Sequence, residues 1–170
     1  RYGRISLSNN SIMNIKHIWS VLCKESLINQ DDNNVSIFGV LEQLSVFLPP
    51  AKETGKLPEK INVPMNYEIV SMWQRNKDVE SARAEIEYSF VNSEDKELLK
   101  TTQMIEIPKT SRRHRSRMKI TGMPLTKQGD YIFQVKIKEE GADDFRLVSE
   151  LPLEVKINLQ KPQVKPQVKN

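Results

Sequence analysis

The chain has 170 residues, 38% of them hydrophobic and 28% charged, with a formal net charge of +4. That length suits one domain with a single hydrophobic core, and the composition excludes wholesale disorder. Its apolar runs are only a few residues long, far short of the roughly 20 that a helical membrane span needs, so no membrane partner is expected.

Residues 1–12 (RYGRISLSNNSI) carry neither the helical nor the strand period, and strand-like alternation begins near Ile15. Met13 is the expected start of the folded domain, with residues 1–12 a disordered leader. No charged start followed by an apolar core and a small-residue cleavage site is present, so no signal peptide is expected. The stretch Ile15 to Leu22 predicts an opening strand. Cys23 follows it and is the single cysteine, which excludes an internal disulfide and suits a reducing, cytoplasmic location. Its place after an alternating apolar stretch predicts a buried structural thiol.

Asn29 to Asn34 (NQDDNN) reads as a turn cluster, and Val35 to Val46 as strand. Pro49 to Lys60 (PPAKETGKLPEK), with three prolines, suits a crossover between sheets. Val63, Met65, Tyr67, Ile69 and Trp73 form an inward row, and Asn76 to Asp78 the next turn. Ala84, Ile86, Tyr88 and Phe90 alternate with Arg83, Glu85 and Glu87, and a turn at Asn92 to Lys96 leads into a strand from Leu98 to Ile107. Tyr131, Phe133, Val135 and Ile137 share one face, opposed by Asp130, Gln134, Lys136 and Lys138. After the turn EEGADD (Glu139 to Asp144), Leu147, Leu151, Leu153, Val155 and Ile157 predict the last inward row. Residues 160–170 repeat KPQV, and their prolines predict an extended tail.

About eight strands at this spacing predict a single all-β domain over residues 13–159, an antiparallel β-sandwich that is immunoglobulin-like in general architecture. One local pattern agrees. In LTKQGDYIFQV (Leu125 to Val135) a Gly-containing turn precedes a Tyr that enters an alternating strand. Immunoglobulin-like domains place a Tyr at such a corner, its hydroxyl bonded back to the loop; a plain buried strand Tyr is the alternative.

The opening HIWSVLCKESLI followed by VSIFGVLEQLSV, the proline-containing linker, INVPMNYEIV and the closing G-D-Y-x-F hairpin occur here in that order. In these features the chain resembles a family of uncharacterised bacterial β-sandwich proteins, over about Met13 to Ile157. The resemblance implies the sandwich fold and a bacterial or mobile-element origin. It assigns no activity, cofactor or residue role.

Residue chemistry points away from catalysis. A nucleophilic site needs Ser or Cys beside a base, and the two histidines, His17 and His114, lie in separate strands that no pattern brings together. One Cys with two His does not supply a usual zinc set, and no phosphate-cradling glycine loop occurs. Asp31 and Asp32, and Asp143 and Asp144, sit in turns where calcium ligands could gather, but no calcium-loop sequence is spelled. No cofactor is expected.

The remaining feature is TSRRHRSRMKITG (Thr110 to Gly122), with five cationic side chains and no acid. As a strand it places Arg113, Arg115, Arg117 and Lys119 on one face, about 7 Å apart, and His114, Ser116, Met118 and Ile120 on the other. From His17 to Val155, 19 Lys or Arg stand against 22 Asp or Glu, a net of −3; without Lys109, Arg112, Arg113, Arg115, Arg117 and Lys119 it is −9. Such an acidic body offers intramolecular partners, Glu85 and Glu87 among them, and repels phosphate elsewhere. The stripe also lacks the aromatics on which bases stack. A solvated or intramolecular strand face is therefore the first expectation, an acidic protein partner the second and nucleic acid the third. The sequence thus predicts a non-catalytic binding or structural module. Its rivals are a nucleic-acid-associated accessory protein using strand 112–119, and a metal-dependent enzyme using the acidic turns.

Overall fold

Alternation by twos over most of the chain is expressed as nine strands among the described residues, which are 13–48 and 59–159 of a computed structural model. The expected leader at 1–12, residues 49–58 of the proline-rich connection and the tail at 160–170 lie outside them. The strands are β1 (Ile15–Ile28), β2 (Val35–Val40), β3 (Gln43–Leu48), β4 (Ile61–Arg75), β5 (Ala82–Asn92), β6 (Glu97–Ile107), β7 (Arg113–Leu125), β8 (Gly129–Glu139) and β9 (Arg146–Leu159). They make a four-stranded sheet, β2-β1-β4-β7, and a five-stranded sheet, β3-β9-β8-β5-β6. No helix among these residues is long and apolar enough to cross a membrane.

The count is nine, against about eight expected, and the stretch Val35 to Val46 splits at Leu41 and Glu42, where the chain leaves one sheet for the other. Leu41 is buried in the core at this crossing. The antiparallel expectation is corrected at one place: β3 runs parallel to β9, Gln43 opposite Glu154 and Phe47 opposite Asn158. Alternation gives a strand's faces but not its direction, which here depends on a partner more than a hundred residues away. β3 and β4 belong to different sheets.

Between the sheets lie the inner rows that the alternation predicts. Ala84, Ile86, Tyr88 and Phe90 of β5 and Tyr131, Phe133, Val135 and Ile137 of β8 are all buried, as are Tyr67, Ile69 and Trp73 of β4. Phe90 and Phe133 stack at 4.2 Å between centroids, and Tyr67 meets Phe133 across the sheets at 5.6 Å. Each such side chain contributes roughly 1.5–3 kcal/mol by leaving water. The β9 row needs a correction at Leu147, which is 47% exposed. The β8–β9 register slips by one between Val135 and Lys136, setting Leu147 beside Lys136 on the outer face while Val148 packs against the core. A one-residue slip reverses the phase of every side chain beyond it.

Polar groups lock the frame. Tyr131 is a corner tyrosine: its hydroxyl accepts from the backbone N–H of Thr126 (3.0 Å) and Lys127 (3.1 Å) and donates to the Lys127 carbonyl (2.6 Å). Arg75, buried at the end of β4, donates to the carbonyls of Ser111, Asn76, Val79 and Lys109, joining the loops after β4 and β6. Ser116 of β7 accepts from the Trp73 indole (2.8 Å) and lies 3.3 Å from the Tyr88 hydroxyl of the opposite sheet. Buried hydrogen bonds of this kind fix one relative placement of the sheets, because any shift would leave them unpaired.

Candidate interaction surface on the four-stranded sheet

Strand β7 is an edge of the four-stranded sheet, and its register on β4 decides where the stripe points. Ile120, Met118, Ser116 and His114 stand opposite Tyr67, Ile69, Ser71 and Trp73, all on the core side. Lys119, Arg117, Arg115 and Arg113 stand opposite Glu68, Val70, Met72 and Gln74, all on the outer side. The predicted division of faces is therefore present.

The stripe divides between the solvated and the intramolecular halves of the first expectation. Arg113 and Lys119 are exposed, but Arg115 and Arg117 are half-buried. The Arg117 guanidinium donates to the Ser26 carbonyl at 3.1 Å, and that of Arg115 to the Asn33 carbonyl at 3.0 Å. Both acceptors belong to β1 and the β1–β2 turn, while β4 separates β1 from β7. The two arginines thus reach past β4 and hold the far end of the β1–β2 hairpin against the sheet.

Glu68 sits at the centre of this arrangement. Its carboxylate is buried, accepts from the Ser26 hydroxyl at 2.5 Å, and lies 3.7 Å from the Lys119 ammonium and 4.0 Å from the Arg117 Nε. A carboxylate withdrawn from water is retained at low cost when cations and a hydroxyl replace its hydration. The expected partners, Glu85 and Glu87, lie instead on the other sheet, where Glu85 pairs with Lys138 and Glu87 with Lys100 and Lys136. Sequence spacing could not make that distinction, because it does not say which strands are neighbours. Cys23, the register partner of Glu68, is fully buried and free. Burial pushes its thiol pKa up, the Glu68 charge adds to this, and a backbone hydrogen bond opposes it. The protonated thiol is a poor nucleophile.

The other end of the stripe is arranged differently. Arg113, Gln74 and Lys16 form one row across β7, β4 and β1, and Arg115, Met72 and Trp19 the next. Among the described residues no ion pair includes Lys16, Arg112 or Arg113, and all three are exposed. Trp19 is the aromatic that the stripe itself lacks. It lies 94 residues before Arg113 and two strands away from β7, so a window on the stripe could not find it.

The histidines are closer than their spacing suggested. Both stand opposite Trp73, His17 from β1 and His114 from β7. His17 Nε2 lies 2.8 Å from the Ser20 hydroxyl, which lies 2.7 Å from that of Ser71. Burial pulls the pKa of His17 down, a backbone hydrogen bond at Trp19 opposes this, and the Arg146 charge lowers it further; burial alone pulls His114 down. Among the described residues no carboxylate orients either ring by a hydrogen bond, and the chain of hydroxyls runs into the core. Asp143 and Asp144 line a groove with Glu139 and Glu140, but among the described residues no three His, Cys, Asp or Glu side chains come together to hold a metal. The Glu139 carboxylate there accepts from the backbone N–H groups of Asn14 and Ile15, anchoring the start of β1.

No protein-family model and no curated protein matches the chain.

Proposed function

We propose that the protein is a non-catalytic binding module that takes an acidic protein partner on the outer face of its four-stranded sheet. The observation that carries this reading is the row Lys16–Gln74–Arg113, flanked by exposed Arg112 and by Trp19, whose cations have no carboxylate among the described residues. Unneutralised cations beside a half-buried aromatic suit a partner bearing Asp or Glu together with an apolar anchor. The inner end of the stripe serves the protein itself, through Glu68 and the β1–β2 hairpin. We further read the module as an immunoglobulin-like sandwich, a reading supported by the Tyr131 corner. Kinship with the bacterial β-sandwich family of the sequence resemblance, a mobile-element origin and a cytoplasmic setting complete the proposal; the buried free thiol of Cys23 is in keeping with that setting.

The experiment compares fluorescent poly-glutamate with random DNA and RNA by anisotropy, at about 50 and about 200 mM salt. Poly-glutamate binding that disappears in a Lys16→Gln, Arg112→Gln, Arg113→Gln variant supports the proposal. Nucleic-acid binding with a steep salt slope, made shallower in that variant, replaces it with the accessory-protein reading. Failure of the native chain to bind any of the three probes refutes both.

A further inference from the structure

The four edge strands differ in how they are protected. β7 carries its four cations, and β6 carries Glu97, Lys100 and Glu106. β3 (QLSVFL) is neutral, but it leads directly into residues outside the description. β2 reads VSIFGV, with no charge and no proline, and both its ends are described. Edge strands normally carry Lys, Pro or a covering segment, since free N–H and C=O groups invite another strand. Among the described residues β2 is paired with β1 alone.

One face of the hairpin also carries exposed apolar side chains, around Glu25. Phe38 and Val40 stand opposite Glu25 and Cys23, and Leu27 stands opposite Ser36, so Leu27, Phe38 and Val40 share one face. They are 53%, 48% and 55% exposed. Gly39, at φ +60 between Phe38 and Val40, lies against Lys24, where an added Cβ would meet the lysine stem at 3.0 Å. The glycine lets that stem fold in close beside it.

Charge at the two ends of β2 selects the occupant. Asp31 and Asp32 lie in the turn before it, Glu42 follows it, and Lys24 is the nearby cation. A two-fold copy pairing β2 antiparallel to itself would bring the start of one strand to the end of the other, setting Asp31 and Asp32 against Glu42. That is like-charge repulsion at both ends. We infer that the free edge of β2 receives an extended strand from a protein partner that carries apolar side chains at alternate positions and Lys or Arg at its ends. Main-chain hydrogen bonds would supply affinity, and the row at Phe38 and Val40 would supply selectivity. This surface is separate from the cationic row proposed above, and it takes a partner segment of opposite charge.

The probe is the capped peptide Lys-Val-Thr-Val-Thr-Val-Lys, with a second peptide having Glu at both ends and a third having Pro in place of a central Thr. Binding is followed by anisotropy, and amide hydrogen exchange of β2 by NMR. The expected result is slowed exchange at alternate β2 amides with the first peptide and weaker binding of the other two. Phe38→Lys, at an exposed position, should weaken binding about tenfold or more at an unchanged melting temperature. Binding without β2 protection overturns the inference, as does equal binding of the Pro peptide or an unaffected Phe38→Lys variant. Sedimentation showing a native dimer that Phe38→Lys dissolves would assign the edge to a second copy instead.

Discussion

Replacing Arg117 by Gln tests whether the stripe is a fastening or only a wet face. The native guanidinium donates to the Ser26 carbonyl and approaches Glu68 to 4.0 Å. Gln is too short to reach past β4, so the Ser26 carbonyl loses a charged donor and Glu68 keeps only Lys119 and the Ser26 hydroxyl. A hydrogen bond to a charged group is worth about 1.5–3 kcal/mol, and with Arg117 half-buried the lower part of that range applies, about 2 kcal/mol. For a domain of this size that lowers the midpoint of thermal unfolding by about 6 °C. Arg113→Gln removes a cation with no partner among the described residues, so its effect should stay within about 0.5 kcal/mol. Urea unfolding of both variants and of Glu68→Gln, completed as a double-mutant cycle, would measure the Arg117–Glu68 coupling, expected at about 1 kcal/mol. If Arg117→Gln and Arg113→Gln unfold at the same denaturant concentration, the fastening does not exist and the stripe is simply solvated.

Other consequences can be measured on the same material. Tyr131→Phe strands two N–H groups and a carbonyl in the turn before β8, and should cost about 2 kcal/mol in denaturant unfolding. Val148→Ala should cost about 1 kcal/mol while Leu147→Ala stays near zero; the reverse order would mean that the β8–β9 slip is absent. His17 and His114 have folded pKa values below their usual 6.5, so the unfolded chain binds more protons as pH falls. Their contribution is complete above about pH 6.5 and is lost as pH drops towards the depressed folded values. Melting temperatures between about pH 7.5 and 5 should therefore fall with acidification, and the slope should flatten in a His17→Asn, His114→Asn variant.

The inner rows were legible because a two-residue period depends only on local order. Tyr67, Ile69 and Trp73, and Tyr131, Phe133 and Val135, needed no knowledge of their neighbours to be assigned inward. The Tyr131 corner was legible for the same reason, as its partners are four and five residues away. Information held in pairing was not legible. The break at Leu41, the parallel direction of β3 and the slip that turns Leu147 outward all depend on strands distant in sequence. The candidate surface divided along the same line. The alternation of Arg113, Arg115, Arg117 and Lys119 placed them on one face, but nothing local selected Glu68 over Glu85, brought Ser26 and Asn33 within reach, or set Trp19 in the adjoining row.

The parallel pairing of β3 with β9 sets an order of events during synthesis. Gln43 leaves the ribosome 111 residues before Glu154, with which it is bonded in the finished sheet. At roughly 5–20 residues per second, that is a wait on the order of ten seconds. Throughout it, Leu44, Val46 and Leu48 wait for the β9 strand they join, and among the described residues the preceding strand β2 is paired with β1 alone. Pairings so distant along the chain fold slowly, and the nascent protein spends that interval with its two uncharged edges open to whatever strand it meets first. The last described strand therefore decides more than its own place: until it arrives, the half-made molecule is at its most adhesive.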